Sequence, residues 1–151
     1  MIRCFLAAIR DALLASVIIT AVAFAGVAFG GVAHAATVEV RVSGVGPTGA
    51  VFVQLCTEAQ FMRACPLRQK VAATPGLTVV HFADVAPGRY AVSAFQDVDG
   101  NGRITFGGLG APVEPWGYSR AAKAVFGPPL FADAAVDVGP TSTVIPIALK
   151  K

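Results

Sequence analysis

The sequence predicts an all-β protein built as a single β-sandwich. Three observations predict it: short segments alternate apolar and polar residues with period two, turns rich in Gly and Pro separate them, and no convincing helical repeat follows residue 35. About seven short strands of this kind are typical of immunoglobulin-like or transthyretin-like sandwiches. One long Gly/Pro-rich loop, residues 97–131, interrupts the pattern.

The strand pattern recurs along the chain and is clearest in residues 38–42, where Val alternates with polar residues. The predicted strands are residues 37–43, 51–55, 77–83, 89–95, 134–138 and 143–149. Pro87 and Gly88 favour a tight turn between the third and fourth segments, so we expect those two strands to form a hairpin. Pro146 cannot donate a ladder hydrogen bond, which places the last strand at a sheet edge.

Residues 1–35 have the pattern of a cleavable secretory signal. A short basic segment precedes an apolar run over residues 12–32, and Ala33-His34-Ala35 is a small-x-small cleavage site. The run also approaches the ~20 residues that span a bilayer, so a permanent transmembrane helix is the alternative. Because a strand pattern follows the cleavage site at once, we expect removal after Ala35. Residues 36–151 would then form one domain, periplasmic or secreted, without a permanent membrane anchor.

The composition beyond residue 35 excludes a nucleic-acid-binding class. The chain has 12 Lys/Arg and 9 Asp/Glu, of which Arg3, Arg10 and Asp11 lie in the signal segment, so a surplus of only two positive charges remains. Lys150-Lys151 is the one basic run, and it gives no footprint for nucleic acid. About 115 residues suffice for one domain with its own core.

Cys56 and Cys65 are the two cysteines that remain, because Cys4 lies in the signal segment. Export into an oxidising compartment favours a disulfide between them. Closing a loop of about ten residues stabilises the fold by roughly 2.5 kcal/mol in the chain-entropy model. The alternative is a two-thiol metal or redox site, although the spacing is not Cys-x-x-Cys. Residues 57–69 lack strand periodicity and are predicted as a surface excursion held by the disulfide.

A candidate calcium loop opens the long stretch. Asp97, Asp99 and Asn101 place oxygen ligands at alternate positions, and Gly102 stands sixth, where a calcium loop bends sharply. The backbone carbonyl of Arg103 could supply a further ligand. The alternative is an Asp/Asn/Gly turn that hydrogen-bonds its own backbone.

The twelfth position of this loop departs from the calcium pattern. It is Gly108, where a bidentate Glu would complete the shell, so a helix–loop–helix site is excluded. A β-domain could instead recruit Glu114 or Asp133 and bind Ca²⁺ weakly, with a Kd of about 10⁻⁴–10⁻³ M.

Residues 114–119 combine an acid, two large aromatic residues and a hydroxyl. Trp116, Tyr118 and Ser119 have the composition of a platform for sugar or peptide, where rings stack and polar groups orient the ligand. The alternative is that the single Trp covers the core of a small sandwich.

No catalytic constellation is visible. His81 is the only histidine after residue 35, and a triad with Asp84 and either Ser93 or Ser119 lacks a nucleophile-elbow motif. Asp97 and Asp99 are too close in sequence to flank a sugar as paired carboxylates. We therefore expect a protein that is not an enzyme.

Four motifs resemble the exported bacterial family DUF2141, a domain of unknown function. They are Gly88–Val92, Phe95–Gly102, Gly110–Ser119 and Gly127–Ala134, in that order. The resemblance implies an exported protein with a transthyretin-like or carbohydrate-binding-like sandwich and no established activity. Many relatives would have His where this chain has Gln96, which argues against a His-assisted metal site here.

Together these observations predict a non-enzymatic binding or accessory domain at the cell envelope. The turn at Asp97, Asp99 and Asn101 would organise its long loop, either with bound Ca²⁺ or without it. The expected partner is an envelope glycan, peptide or protein. The alternative is an assembly module whose exposed edge strand pairs with a partner chain by β-augmentation. A hydrolase using His81 is a third hypothesis.

Overall fold

The computed structural model describes residues 36–108, 110–125 and 127–151. The predicted signal segment, residues 1–35, lies outside the described residues. All described residues belong to one compact unit. Within these ranges, no helix has both the length and the apolar character needed to cross a membrane.

Eight strands and two short helical turns make up the described chain. The strands are β1 (Ala36–Val45), β2 (Ala50–Cys56), β3 (Leu67–Ala72), β4 (Gly76–Val85), β5 (Gly88–Asp97), β6 (Trp116–Tyr118), β7 (Ala135–Val138) and β8 (Thr143–Ala148). A 3₁₀ turn (Ser119–Ala121) follows β6, and α1 (Phe131–Ala134) precedes β7.

The strands form two sheets, which confirms the predicted β-sandwich. The smaller sheet has the order β4-β1-β8, and the larger sheet has the order β3-β2-β5-β6. β7 shares the far side of β5 with β6: it pairs with the first half of β5, while β6 pairs with the second half. Only the β1–β8 pair is parallel among the strand pairs of the described residues.

The core lies between the two sheets and follows the predicted alternation. Val38, Val40 and Val42 of β1 face inward and are fully buried, as are Val51 and Leu55 of β2. Burying one such side chain stabilises the fold by about 1.5–3 kcal/mol. The alternating polar residues of β1 face solvent, so the period-two pattern decided the orientation of the strand.

The predicted hairpin between residues 77–83 and 89–95 is wrong. β4 pairs with β1, whereas β5 pairs with β2, so the connection at Ala86–Pro87 crosses from one sheet to the other. Val85 and Tyr90 are buried on either side of this connection, and the Tyr90 hydroxyl donates a hydrogen bond to the Ala86 carbonyl at 2.9 Å. The arrangement is similar to the tyrosine corner of immunoglobulin-like sandwiches.

The other edge and loop predictions have mixed outcomes. β8, which contains Pro146, lies at an edge of the smaller sheet as predicted. β3 was missed, because its exposed polar run, residues 68–70, hides the strand pattern. The long stretch over residues 97–131 is not a continuous loop: it contains β6 and the 3₁₀ turn, and α1 begins at its last residue.

The chain after β8 links the two sheets. The Trp116 amide donates to the Lys150 carbonyl at 2.9 Å, and the Lys150 amide donates to the Trp116 carbonyl at 2.8 Å. Gly117 allows this close approach, because a Cβ at that position would lie 2.5 Å from the Ala148 carbonyl oxygen. β6 is thereby held against the end of the smaller sheet.

Candidate functional site

The outer face of the larger sheet carries two rows of aligned side chains, set by the strand register. One row is Lys70, Phe52, Phe95 and Trp116, and the next is Arg68, Gln54, Ser93 and Tyr118. Because directly opposite residues on one face have Cβ atoms about 4.5–5.5 Å apart, each row brings its side chains into reach of one another.

The first row is an aromatic stripe. The Phe52 and Phe95 rings stack with centroids 4.9 Å apart and an interplanar angle of 5°. The Lys70 Nζ lies 5.0 Å from the Phe52 ring centroid, as in a cation–π contact. Trp116 meets Tyr118 edge to face, at 5.7 Å and 73°, so these two rings form a corner rather than one flat platform.

The second row supplies the polar groups. The Gln54 Nε2 donates to the Ser93 Oγ at 3.0 Å. Burial raises the pKa of the Tyr118 phenol above its ordinary value, so its hydroxyl is neutral at physiological pH and can both donate and accept. Phe61 packs edge-on against Tyr118 with ring centroids 6.3 Å apart.

The disulfide positions Phe61 at this face. Cys56 and Cys65 are bonded, which confirms the predicted pair. The bond closes the excursion in which Phe61 lies, and Phe61 also packs edge-on against Phe131 at 5.8 Å. The excursion thus forms part of the surface around Tyr118.

A cleft of about 670 Å³ lies above part of these rows, and Phe52, Lys70 and Arg68 do not line it. Its floor contains Gln54, Ser93, Phe95, Trp116 and Tyr118, and its walls contain Met62, Ile104, Phe106, Pro112, Ala124, Val125 and Pro128. No charged side chain lines it among the described residues. Its volume is within the range of small-molecule sites, about 300–1,000 Å³.

The predicted ligand platform is only partly present in this cleft. Trp116 and Tyr118 line it, but Ser119 is completely buried beneath the sheet. The Ser119 Oγ accepts a hydrogen bond from the Val92 amide at 3.0 Å and donates to the Ala134 carbonyl. Side chains alternate along β6, so Trp116 and Tyr118 face outward while Ser119 faces inward.

The acidic loop begins where β5 ends. Asp97 is fully buried, and its two carboxylate oxygens accept hydrogen bonds from the amides of Gly100 at 2.9 Å and Gly102 at 3.0 Å. Both glycines have positive φ, at 79° and 77°, a conformation that favours glycine. The loop therefore folds around the Asp97 carboxylate.

Glu114 connects the two ends of this loop. It is 5% exposed, and its oxygens accept from the Val98 amide at 2.8 Å and the Thr105 amide at 2.9 Å. Asp99 is exposed and accepts from the Asn101 amide at 3.0 Å. The side chains of Asp97, Asp99 and Glu114 bring carboxylate oxygens within 4.8 Å of one another.

The remaining predicted metal ligands are placed differently. The Asn101 Oδ1 accepts from the Arg103 amide at 2.8 Å, so it helps to fold the loop. Asp133 lies in α1, next to the start of β5, whereas Asp97 ends the ten-residue β5. Since strands rise about 3.3 Å per residue, Asp133 is separated from the acidic group.

Gln96 has a structural position. It is 1% exposed, its Oε1 accepts from the Gly46 amide at 2.8 Å, and its Nε2 donates to the Thr48 carbonyl at 2.6 Å. It ties the β1–β2 turn to β5 and does not face the acidic group.

The structure does not assemble the hypothetical triad. His81 is exposed on the outer face of the smaller sheet, opposite Glu39. Ser93 faces the cleft on the larger sheet, and Ser119 is buried in the interior. His81 therefore lies on the opposite face of the sandwich from Ser93, and the smaller sheet separates it from the buried Ser119.

A family model described as "Uncharacterized protein conserved in bacteria (DUF2141)" matches residues 40–146. The chain belongs to this family. Neither the curated proteins nor the solved structures contain a significant match to it. The matched range runs from β1 to β8, so this DUF2141 domain includes the cleft and the acidic loop within the family region.

Sequence reasoning missed the stacked rings of Phe52 and Phe95 in this DUF2141 domain, of which Phe95 lines the cleft. Phe52 and Phe95 occupy the outward, nominally polar positions of β2 and β5, where each is half-buried. An aromatic residue at an outward position of two successive predicted strands is the signal that could have identified them. Gln54 and Ser93 lie two residues from Phe52 and Phe95 and therefore face outward as well, but only the strand register shows that they are neighbours.

Proposed function

We propose that this DUF2141 domain is a non-enzymatic binding module of the bacterial envelope, exported with removal of residues 1–35, and that the aromatic cleft is its ligand site. The observation that carries the proposal is the cleft of about 670 Å³ with an aromatic floor and an uncharged lining. Concave, mostly apolar sites with a few polar groups are the usual form of small-ligand sites.

The lining defines the chemistry of the ligand. Burying an unpaired charge in such a site would be costly, so the ligand is uncharged where it contacts the cleft. Ile104, Met62 and Val125 make the walls aliphatic, which favours an apolar ring or chain over a fully hydroxylated sugar. Gln54 and Tyr118 can form hydrogen bonds with one or two polar groups of that ligand.

The cleft is held in shape by covalent and hydrogen-bonded supports. The disulfide fixes one wall, which contains Met62, and Glu114 fixes the loop that leads to Phe106. A site that is ordered before binding loses less conformational entropy when the ligand arrives. This supports a binding role for walls that would otherwise be plain surface loops.

The experiment uses Trp116, the only tryptophan of the chain, as its reporter. The purified protein is recovered after expression of the full chain in a bacterial host, and mass spectrometry identifies its N terminus. Energy transfer from Trp116 is measured on titration with N-phenylnaphthylamine, which is uncharged, and with anilinonaphthalene sulfonate, which has the same rings and a sulfonate. We expect saturable transfer with the neutral probe and much weaker binding of the anionic one.

A matched pair of variants locates the probe. Val125→Asp changes the cleft wall, and Val144→Asp makes the same change on the smaller sheet; both positions are exposed. In Val125→Asp, the bound neutral probe loses about one aliphatic contact with the wall, so its binding should weaken roughly fivefold. Binding to Val144→Asp should not change. Absence of saturable transfer, or equal effects of the two variants, would contradict the proposal.

We further propose that the acidic loop binds Ca²⁺ weakly. Asp97 and Glu114 are buried, and among the described residues no Lys or Arg forms an ion pair with them or with Asp99. Buried carboxylates without a counter-ion are costly, and each carboxylate oxygen of Asp97 and Glu114 accepts one amide hydrogen bond and keeps a second lone pair. Three acidic residues and water would form an open oxygen site of the weak extracellular kind.

A further inference from the structure

The two sides of the sandwich differ in how the edge strands are covered. On one side of the molecule, Lys150 pairs with Trp116 and joins the end of the smaller sheet to β6. β6 and β7 together cover the far side of β5. Among the described residues, β3 and β4 are left as the strands with a free edge on the other side.

β3 carries protection against pairing with another strand. It has six residues, and its outward side chains include Arg68 and Lys70, both exposed. Charged side chains, lysine above all, and short length are the usual ways in which native edge strands avoid association. A second β3 placed against it would bring like charges together.

β4 lacks such protection over its central part. It has ten residues, and its pairing with β1 is regular from Leu77 to Phe82. No residue in that range is an Asp, Glu, Lys, Arg or Pro, and Leu77 and Val79 are 48% and 39% exposed. Asp84, with φ 56°, interrupts the strand only near its end.

We propose that β4 pairs antiparallel with β4 of a second copy of this chain and joins the two three-stranded sheets into one. A two-fold axis beside Val79 places the strand against itself, with Val79 opposite its own copy and Leu77 opposite His81, so outer-face residues lie opposite outer-face residues. Those residues are Leu77, Val79 and His81, so self-pairing brings apolar groups together without opposed carboxylates or lysines. The free amide and carbonyl groups of both edges are satisfied in the same step.

Sedimentation equilibrium of the purified protein over a range of concentrations tests the dimer. Val79→Lys adds a charge at the centre of the pairing, and Val144→Lys adds the same charge to the same face on β8, the opposite edge of that sheet. We expect the mass of two chains for the unchanged protein and for Val144→Lys at high concentration. Val79→Lys should stay monomeric while keeping its circular dichroism spectrum.

Hydrogen exchange of the unchanged protein provides a second measurement that needs no variant. We expect amides within Leu77–Phe82 that face the free edge to become protected as the concentration rises, while those of β3 do not. A protein that is monomeric at all concentrations, or a dimer in which these amides stay unprotected, would overturn the proposal. Trp116→Phe should leave the dimer unchanged, which separates this result from the fate of the cleft proposal.

Discussion

Trp116 and Lys150 exchange both of their main-chain hydrogen bonds, at 2.9 and 2.8 Å. The penultimate residue of the chain therefore holds the strand that presents the only tryptophan to the cleft. Each such bond contributes about 0.5–1.5 kcal/mol to stability. The end of the chain is thus coupled to the candidate ligand site.

Deleting Lys150 and Lys151 should lower the free energy of unfolding by roughly 1–3 kcal/mol, because both hydrogen bonds are lost. It should also shift the Trp116 fluorescence to longer wavelength, since β6 is released on one side. Deleting Lys151 alone is the control, and Lys150→Ala keeps the backbone and should behave like the unchanged protein. An equal loss in the Lys150→Ala variant would show that the side chain, and not the backbone pairing, is responsible.

Ser119→Ala should be more destabilising than its surface counterpart Ser93→Ala. Ser119 is fully buried, and its loss leaves the Val92 amide and the Ala134 carbonyl without this partner. A buried group left without its hydrogen bond costs about 1–3 kcal/mol. Chemical unfolding measures the difference, and Ser93→Ala should mainly affect probe binding in the cleft.

The features that depend on local pattern were predicted well. The alternation in residues 38–42 decided which face of β1 is buried, because side-chain direction follows from strand geometry alone. Pro146 indicated an edge strand for an equally local reason, its missing amide hydrogen. Glu114 and Asp133 were the two acids offered as further metal ligands, and the structure brings only Glu114 near Asp97.

The features that depend on long-range packing were not predictable in the same way. Pro87 and Gly88 fit a hairpin turn and a crossing between sheets equally well, and the burial of Val85 and Tyr90 decides between them. Ser119 was predicted as part of the ligand platform because it follows Trp116 and Tyr118 in a loop-like segment. The alternation of side chains along β6 directs it inward instead. Asp133 was grouped with Asp97 by composition, and only the course of β5 separates them.

Alkaline pH should reveal the burial of Tyr118. Because burial raises the pKa of its phenol, the folded protein holds this proton more tightly than the unfolded chain does. Its contribution to stability is therefore fully present below the unfolded pKa of about 10 and is lost as the pH rises through the raised folded pKa.

The Tyr118→Phe variant isolates this contribution, since the other titrating groups are unchanged. The difference in unfolding free energy between the unchanged protein and the variant should be constant up to about pH 10 and then shift against the unchanged protein. Urea unfolding at a series of pH values measures it. A difference that does not vary with pH would mean that the phenol is solvated in the folded state.

Ca²⁺ should raise the stability of the unchanged protein through the acidic loop. A ligand that binds only the folded state adds about 2.7 kcal/mol at a hundredfold excess over its Kd. Thermal unfolding in Ca²⁺ against chelator measures this gain. Asp99→Ala is the informative variant, because Asp99 is exposed and its loss leaves the hydrogen bonds of Asp97 and Glu114 in place.

Asp137→Ala is the matched control, because Asp137 is an exposed acid on β7, which pairs with the first half of β5 and not with the end that carries the loop. The calcium-dependent gain should be reduced in Asp99→Ala and unchanged in Asp137→Ala. Equal melting temperatures in Ca²⁺ and chelator for the unchanged protein would contradict a metal site. The amide hydrogen bonds to Asp97 and Glu114 would then be the whole function of these carboxylates, because they suffice to fold the loop that forms the wall of the cleft.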